Sequence, residues 1–214
     1  MTDNFKLIST LLDFSEPRTF YFLQIIKRRK DNPEMKTGVS LIDQFYLYTP
    51  EDLEKLREKI IERCTKSNAR AYINLNRLDL EKVAMHTVKQ IMEYVIQKDY
   101  KSVKNAYATV CGSHHSEKNK RWLIDVDEEF LEKRDEIRQI VEKLHEEMST
   151  ASNGKVKYKI LAEIPTRTGV HIITEPFNME KFRQITLDIS RRENNDKILK
   201  VDIQRNSPTV LFIL

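Results

Sequence analysis

The sequence predicts an α+β protein, and three observations carry that prediction. Short runs of branched and aromatic residues read as strands, longer amphipathic stretches read as helices, and the two alternate in a defined order. In the second half the order is β-α-β-β-α-β followed by one extra strand, the ferredoxin-like arrangement shared with RNA-recognition modules. A smaller α/β subdomain is expected ahead of it, which divides the chain into 1–118 and 119–214.

In chain order, Phe20-Tyr21-Phe22-Leu23-Gln24-Ile25-Ile26 is aromatic and branched and reads as a strand. A basic loop containing Pro33 leads to its expected hairpin partner over 41–48. Thr49-Pro50-Glu51-Asp52 starts a helix with a capping hydroxyl, a proline at the first helical position and acids in the first turn. Leu53, Leu56, Ile60 and Cys64 form its apolar stripe. Residues 70–75 alternate as a third strand, and Asp79 caps a long helix with the stripe Leu80, Val83, Ala84, Val88, Ile91 and Val95. The pattern then dissolves into a polar segment over 98–120, expected as a seam between subdomains or an active-site loop.

The second half is more regular. A strand over 122–126 precedes a helix over 128–148 bearing Phe130, Ile137, Val141, Leu144 and Met148. Asn153-Gly154 turns into a strand over 156–164, residues 165–169 make a hairpin turn, and 170–174 returns. Asn178 caps a helix with Met179, Phe182, Ile185 and Ile189; a strand over 198–203 and the extra strand over 209–214 close the chain.

Composition bounds the function classes. With 214 residues, 40% hydrophobic and 33% charged, the chain is globular and large enough for a proper core. Four glycines leave no room for a glycine-rich phosphate loop, and neither G-x-x-x-x-G-K-[ST] nor G-x-G-x-x-G occurs. Phosphate is therefore expected on metal ions, side chains or ordinary helix ends. A net charge of +4 and a pI of about 8.9 are compatible with nucleic acid without pointing to it. Cys64 and Cys111 are too few for a disulfide framework and suggest a reducing compartment. No secretion signal or run of ~18 apolar residues is present, so a soluble, cytoplasmic protein without a membrane partner is expected.

Side-chain alternation along the expected sheet has a chemical consequence. Trp122, Ile124 and Val126 point to the helices, leaving Leu123, Asp125 and Asp127 on an open face. Leu199, Val201 and Ile203 point inward on the fourth strand, leaving Lys200, Asp202 and Gln204 open. Val170, Ile172 and Thr174 do so on the third, leaving His171 and Ile173. Three carboxylates and one histidine thus converge from three adjacent strands. Two carboxylates on one strand face can bind hard cations, and a third from a neighbouring strand completes the ligands. Such ions bridge phosphate oxygens during in-line displacement. Arg167, Lys200 and the Arg191-Arg192 pair are candidate phosphate contacts, since guanidinium groups grip phosphate bidentately.

Leu123-Ile124-Asp125-Val126-Asp127, Gly169-Val170-His171 and Val201-Asp202 resemble, in order, the three motifs of the archaeo-eukaryotic primase superfamily: hydrophobics into Asp-x-Asp, small-x-His, and hydrophobic-Asp. The resemblance covers 121–214 by motif and the first half by layout. It implies that Asp125, Asp127 and Asp202 hold Mg2+ or Mn2+ and that His171 contacts the incoming nucleotide's phosphates. The implied activity is that of a primase-polymerase nucleotidyltransferase in DNA replication, acting on nucleoside triphosphates and a single-stranded DNA or RNA template. The chain looks like a minimal stand-alone domain of a phage or mobile element; it carries no zinc-binding stem or helicase segment, so any helicase is a separate partner. Gly169 departs from the pattern, where serine is frequent. A non-catalytic nucleic-acid-binding module, an inactive relative of the family, or another ferredoxin-like metal enzyme are the alternatives.

Further candidates lie in the first half. Arg70 and Tyr72, on one strand face with Asn74, and Arg77 just beyond, are candidate contacts for a nucleic-acid strand through charge and stacking. The basic run 27–30 is another, with salt-dependent affinity. Cys111, His114 and His115 have the residue types of a zinc site at a spacing that fits no standard one, and a plain loop is expected there.

Overall fold

A computed structural model describes residues 1–113, 120–149, 159–192 and 201–214. Expectations for His114, His115, the turn at 153–154, residues 156–158 and Lys200 lie outside the described residues. In chain order the elements are β1 (Thr2–Asp3), α1 (Phe5–Ser9), β2 (Thr19–Arg28), β3 (Val39–Leu47), α2 (Pro50–Ser67), β4 (Arg70–Ile73), β5 (Leu78–Asp79) and α3 (Leu80–Ile96). A 3-10 turn at Val103–Asn105 leads to α4 (Ala106–Ser113) and β6 (Trp122–Val126), and a second one at Glu128–Lys133 leads to α5 (Arg134–Ser149). The rest comprises β7 (Ile160–Pro165), β8 (Val170–Thr174), α6 (Met179–Arg192), β9 (Asp202–Gln204) and β10 (Thr209–Ile213). The fold is mixed α+β with antiparallel sheets. Among the described residues no helix is long and apolar enough to cross a membrane.

Two compact units are formed, Met1–Asn119 with Pro208–Leu214, and Lys120–Ser207. The expected division assigns the last strand to the second unit; instead β10 returns to the first and lies between β1 and β4. Its residues explain why. Thr209 to Ile213 are all buried, and a run that is apolar on both faces needs a sheet covered on both sides. The residues ahead of β2 are also folded: β1 pairs with β10, and Phe5 and Ile8 of α1 are buried.

In the first unit the strand order is β1-β10-β4-β2-β3, with β5 added to β2. The β2–β3 hairpin runs from Tyr21↔Leu47 to Arg28↔Val39 with a register shift at Ile25/Ile26. At the start of α2 the Asp52 carboxylate accepts the N–H groups of Tyr48 (2.8 Å) and Thr49 (2.9 Å), closing a capping box. Leu53, Ile60 and Cys64 are the buried side of that helix. Asp79 accepts the Lys82 N–H at 2.9 Å to open α3. Only Val83 of the expected α3 stripe is fully buried, while Val88 and Val95 are exposed. The polar segment expected over 98–120 contains a helix instead, with Ala106, Val110 and Cys111 buried. Its apolar residues, small apart from Tyr107, are spread around the axis, so no period of 3.6 marks it in the sequence.

In the second unit the order is β7-β8-β6-β9 and every neighbouring pair is antiparallel. One face carries Ile124, Val126, Val170 and Ile172 into a core with Ile137, Ile140, Val141 and Leu144 of α5 and with Phe177 and Phe182. Each such side chain contributes about 1.5–3 kcal/mol of burial. Trp122, Val201 and Ile203 pack at its edge. This burial fixes the register and directs the opposite side chains to the second face.

Candidate metal and nucleotide site

That second face holds a row of four residues, one per strand. Ile164 of β7 is opposite His171 of β8, His171 is opposite Asp125 of β6, and Asp125 is opposite Asp202 of β9. Exposure rises along the row: Ile164 and His171 are buried, Asp125 is half-buried and Asp202 is exposed. His171 Nε2 lies 3.5 Å from Asp125 Oδ1. Burial pushes the imidazole down to about 4 from its ordinary 6.5, and the negative charge of Asp127 opposes that shift without reversing it. The ring is neutral at physiological pH, with one N–H to donate.

Asp127 follows β6 in extended conformation and leads into the Glu128–Lys133 turn. The second carboxylate oxygen of Asp202 accepts a 2.6 Å hydrogen bond from the Gln204 amide two residues along β9. Alternation in the sequence puts Gln204 on this face; its bond to Asp202 is what the structure adds.

The β7–β8 turn is closed by the Thr166 N–H donating to the Gly169 carbonyl (3.0 Å) and the Gly169 N–H donating to Thr166 Oγ1 (3.0 Å). Gly169 sits against the end of β6: a Cβ there would lie 2.2 Å from the Val126 carbonyl oxygen and 3.2 Å from Asp127 Cα. The sequence marks Gly169 only as the small residue of a short motif, and its close approach to the Asp127 backbone is not legible there. Arg167 is exposed in the same turn.

Several expected placements change. The face is not open along its length, because Leu123 and Ile173 are buried on it beside His171. Arg70 and Tyr72 are buried rather than presented to a nucleic-acid strand, as is Arg77. β4 is a central strand with all four residues buried, and its polar groups are spent internally. Arg70 makes a bidentate pair with Asp31, Nε to Oδ2 at 2.7 Å and Nη2 to Oδ1 at 2.5 Å. Arg28 Nη1 donates to the Tyr72 hydroxyl at 3.1 Å. Arg77 Nη1 reaches the Asp13 carbonyl at 3.1 Å and its carboxylate at 3.2 Å. Cys111 is a free, buried thiol packed with Phe20, Phe22, Leu78, Val83 and Val110.

Among the described residues no three His, Cys, Asp or Glu side chains are gathered closely enough to hold a metal ion. The donor set of Asp125, Asp127 and Asp202 suits a hard, oxygen-seeking cation. As folded, Asp125 leans on His171 and Asp202 on Gln204, contacts that coordination would exchange for metal–oxygen bonds. Comparison with protein-family models, with curated proteins and with solved structures finds no match.

Proposed function

We propose that the second unit is a metal-dependent nucleotidyltransferase of primase-polymerase type, built on a ferredoxin-like sheet and acting on nucleoside triphosphates and a single-stranded DNA or RNA template. The observation that carries this reading is the direct cross-strand opposition of Asp125 and Asp202. Like charges placed directly opposite in an antiparallel pair are destabilising. A third acid, Asp127, follows just beyond the end of β6, close enough to act on His171. A hard cation among the carboxylates offsets that repulsion. The strand order β7-β8-β6-β9 and the three motifs on β6, β8 and β9 support the same reading.

In this reading Asp125, Asp127 and Asp202 would hold Mg2+ or Mn2+, which when bound neutralises charge on the phosphate oxygens. His171, neutral and fixed by burial, donates an N–H to a phosphate oxygen and so orients the triphosphate. Arg167 adds a guanidinium from the turn, and Lys200 is a further proposed phosphate contact. The 3′-hydroxyl of the growing strand gives its proton to solvent as its oxygen attacks the α-phosphorus and pyrophosphate leaves; no side-chain base is required. A non-catalytic role is the second reading, favoured by the carboxylates' engagement with His171 and Gln204 in place of a metal-sized cluster.

Incubation of the purified protein with labelled triphosphates, a primed template and Mn2+ or Mg2+ tests the proposal. Extension is expected, and its loss in an Asp125→Ala, Asp127→Ala double variant that still folds. Asp202→Asn is expected to raise metal-free stability by about 0.5 kcal/mol, through relief of the like-charge pair, and to abolish the rise in Tm with Mn2+. Full activity in the double variant, or an undiminished Mn2+ response in Asp202→Asn, overturns the reading.

A further inference from the structure

The helix α3 carries a second apolar stripe that its own unit leaves uncovered. Val83, with 1% exposure, faces the sheet, and Thr87, Gln90, Ile91 and Tyr94 continue that side half-buried. On the other side Met85 is 68% exposed, Val88 60%, Met92 59%, Val95 47% and Ile96 76%. Positions 85, 88, 92 and 95 are spaced three, four and three apart, the a/d spacing of a helix that packs along a partner helix. A helix apolar on both sides is normally buried on both. The five exposed side chains fall on one side of the helix, and the largest apolar patch on a typical monomer, about 300–600 Å², is often an interaction site.

We propose that this face is a self-association surface, on which two copies of the chain pair their α3 helices antiparallel about a two-fold axis. The stripe is its own complement in that register. With the axis between Val88 and Met92, Met85 of one copy meets Val95 of the other and Val88 meets Met92, so a long, flexible side chain fills against a short, branched one at each level. Charge agrees with this register. Lys89 and Glu93 flank the midpoint of the stripe and lie 3.9 Å apart as an i,i+4 pair. In that register Lys89 of one copy lies two residues along the pair from Glu93 of the other, so each lysine, although the two lysines also approach at the axis, has a glutamate of either copy within reach. The inference is independent of the proposed chemistry on β6, β8 and β9.

Sedimentation velocity of the full chain over about 1–100 μM tests it, and a concentration-dependent species of twice the monomer mass is expected. The paired change Val88→Asp, Met92→Asp is expected to weaken association about a hundredfold or more, with the circular dichroism spectrum and melting curve of a folded chain. Val39→Asp, a similar change at another exposed valine, is expected to leave the dimer intact. A wild-type chain that stays monomeric at 100 μM overturns the proposal. So does a dimer insensitive to the paired aspartates, or a stripe that binds anionic phospholipid vesicles while the chain remains monomeric.

Discussion

Replacing Gly169 with alanine asks whether the β7–β8 turn sets the position of Asp127. The new Cβ would lie 2.2 Å from the Val126 carbonyl oxygen and 3.2 Å from Val126 C and Asp127 Cα. Close carbon–oxygen contacts begin near about 3.3 Å, so about 1 Å of separation has to be found. The obstacle is backbone, and no side chain can rotate out of the way. β6 is held there by the pairs Val126↔Val170 and Asp125↔His171, so a displaced strand end also disturbs the 3.5 Å approach of His171 to Asp125. Overpacking of this kind costs about 1–3 kcal/mol. At about 2 kcal/mol, Tm falls by about 4–8 °C in a chain of this size. Serine meets the same oxygen and should do no better, although the primase-like motif favours it at this point. Thermal melts of Gly169→Ala and Gly169→Ser, with and without Mn2+, read both the stability and the site. An alanine variant with the parent Tm and the parent Mn2+ response would refute the reasoning.

Three further outcomes follow from buried groups. His171 is held neutral, with its pKa lowered to about 4 against an ordinary 6.5, so its contribution to stability is complete above pH 6.5 and declines by up to about 3 kcal/mol as the pH falls to 4. Urea midpoints in chelator at pH 7, 5.5 and 4 should show that decline, and His171→Asn should remove most of it. Asp31→Ala leaves the buried Arg70 guanidinium without its bidentate partner and should cost about 3–5 kcal/mol by urea unfolding; a cost below 1 kcal/mol counts against the pair as an organiser of β4. Burial pushes the Cys64 and Cys111 thiols up to about 12, so at pH 8 only about one in ten thousand is thiolate, and neither should react with a disulfide reagent until the chain unfolds.

The second unit was more legible in the sequence than the first for a physical reason. Its strands alternate: Ile124 and Val126 against Asp125, and Val170 and Ile172 against His171, so the period of two reports which side is buried. Its helices α5 and α6 are apolar on one side only, which makes the period of 3.6 equally plain. In the first unit the informative asymmetry is lost. β4 and β10 are buried on both faces, so Arg70 and Tyr72 look like an exposed polar edge when they are internal. α4 spreads mostly small apolar residues around its axis and reads as a loop, and α3 is apolar on two sides, so one stripe could not be told from the other. The return of β10 is a long-range pairing that local pattern does not encode. In the candidate site, alternation yields the faces of Asp125, His171 and Asp202. It does not yield the fit of Gly169 under Val126, which depends on the path of the turn.

The electrostatics of the row narrow what can occupy it. A neutral His171 adds no positive charge to the face shared by Asp125 and Asp202, and its low pKa means that ordinary acidity does not change this. A triphosphate approaching the carboxylates brings more negative charge to the same place. Arg167 is exposed in the adjoining turn, where its attraction is screened within a Debye length of about 8 Å. A cation held by the carboxylates themselves would be different: it would offset the repulsion within the row and supply the attraction for phosphate. On that ground the opposed acids and the nucleotide chemistry are one proposal, because the feature that costs stability without metal is the feature that would bind it.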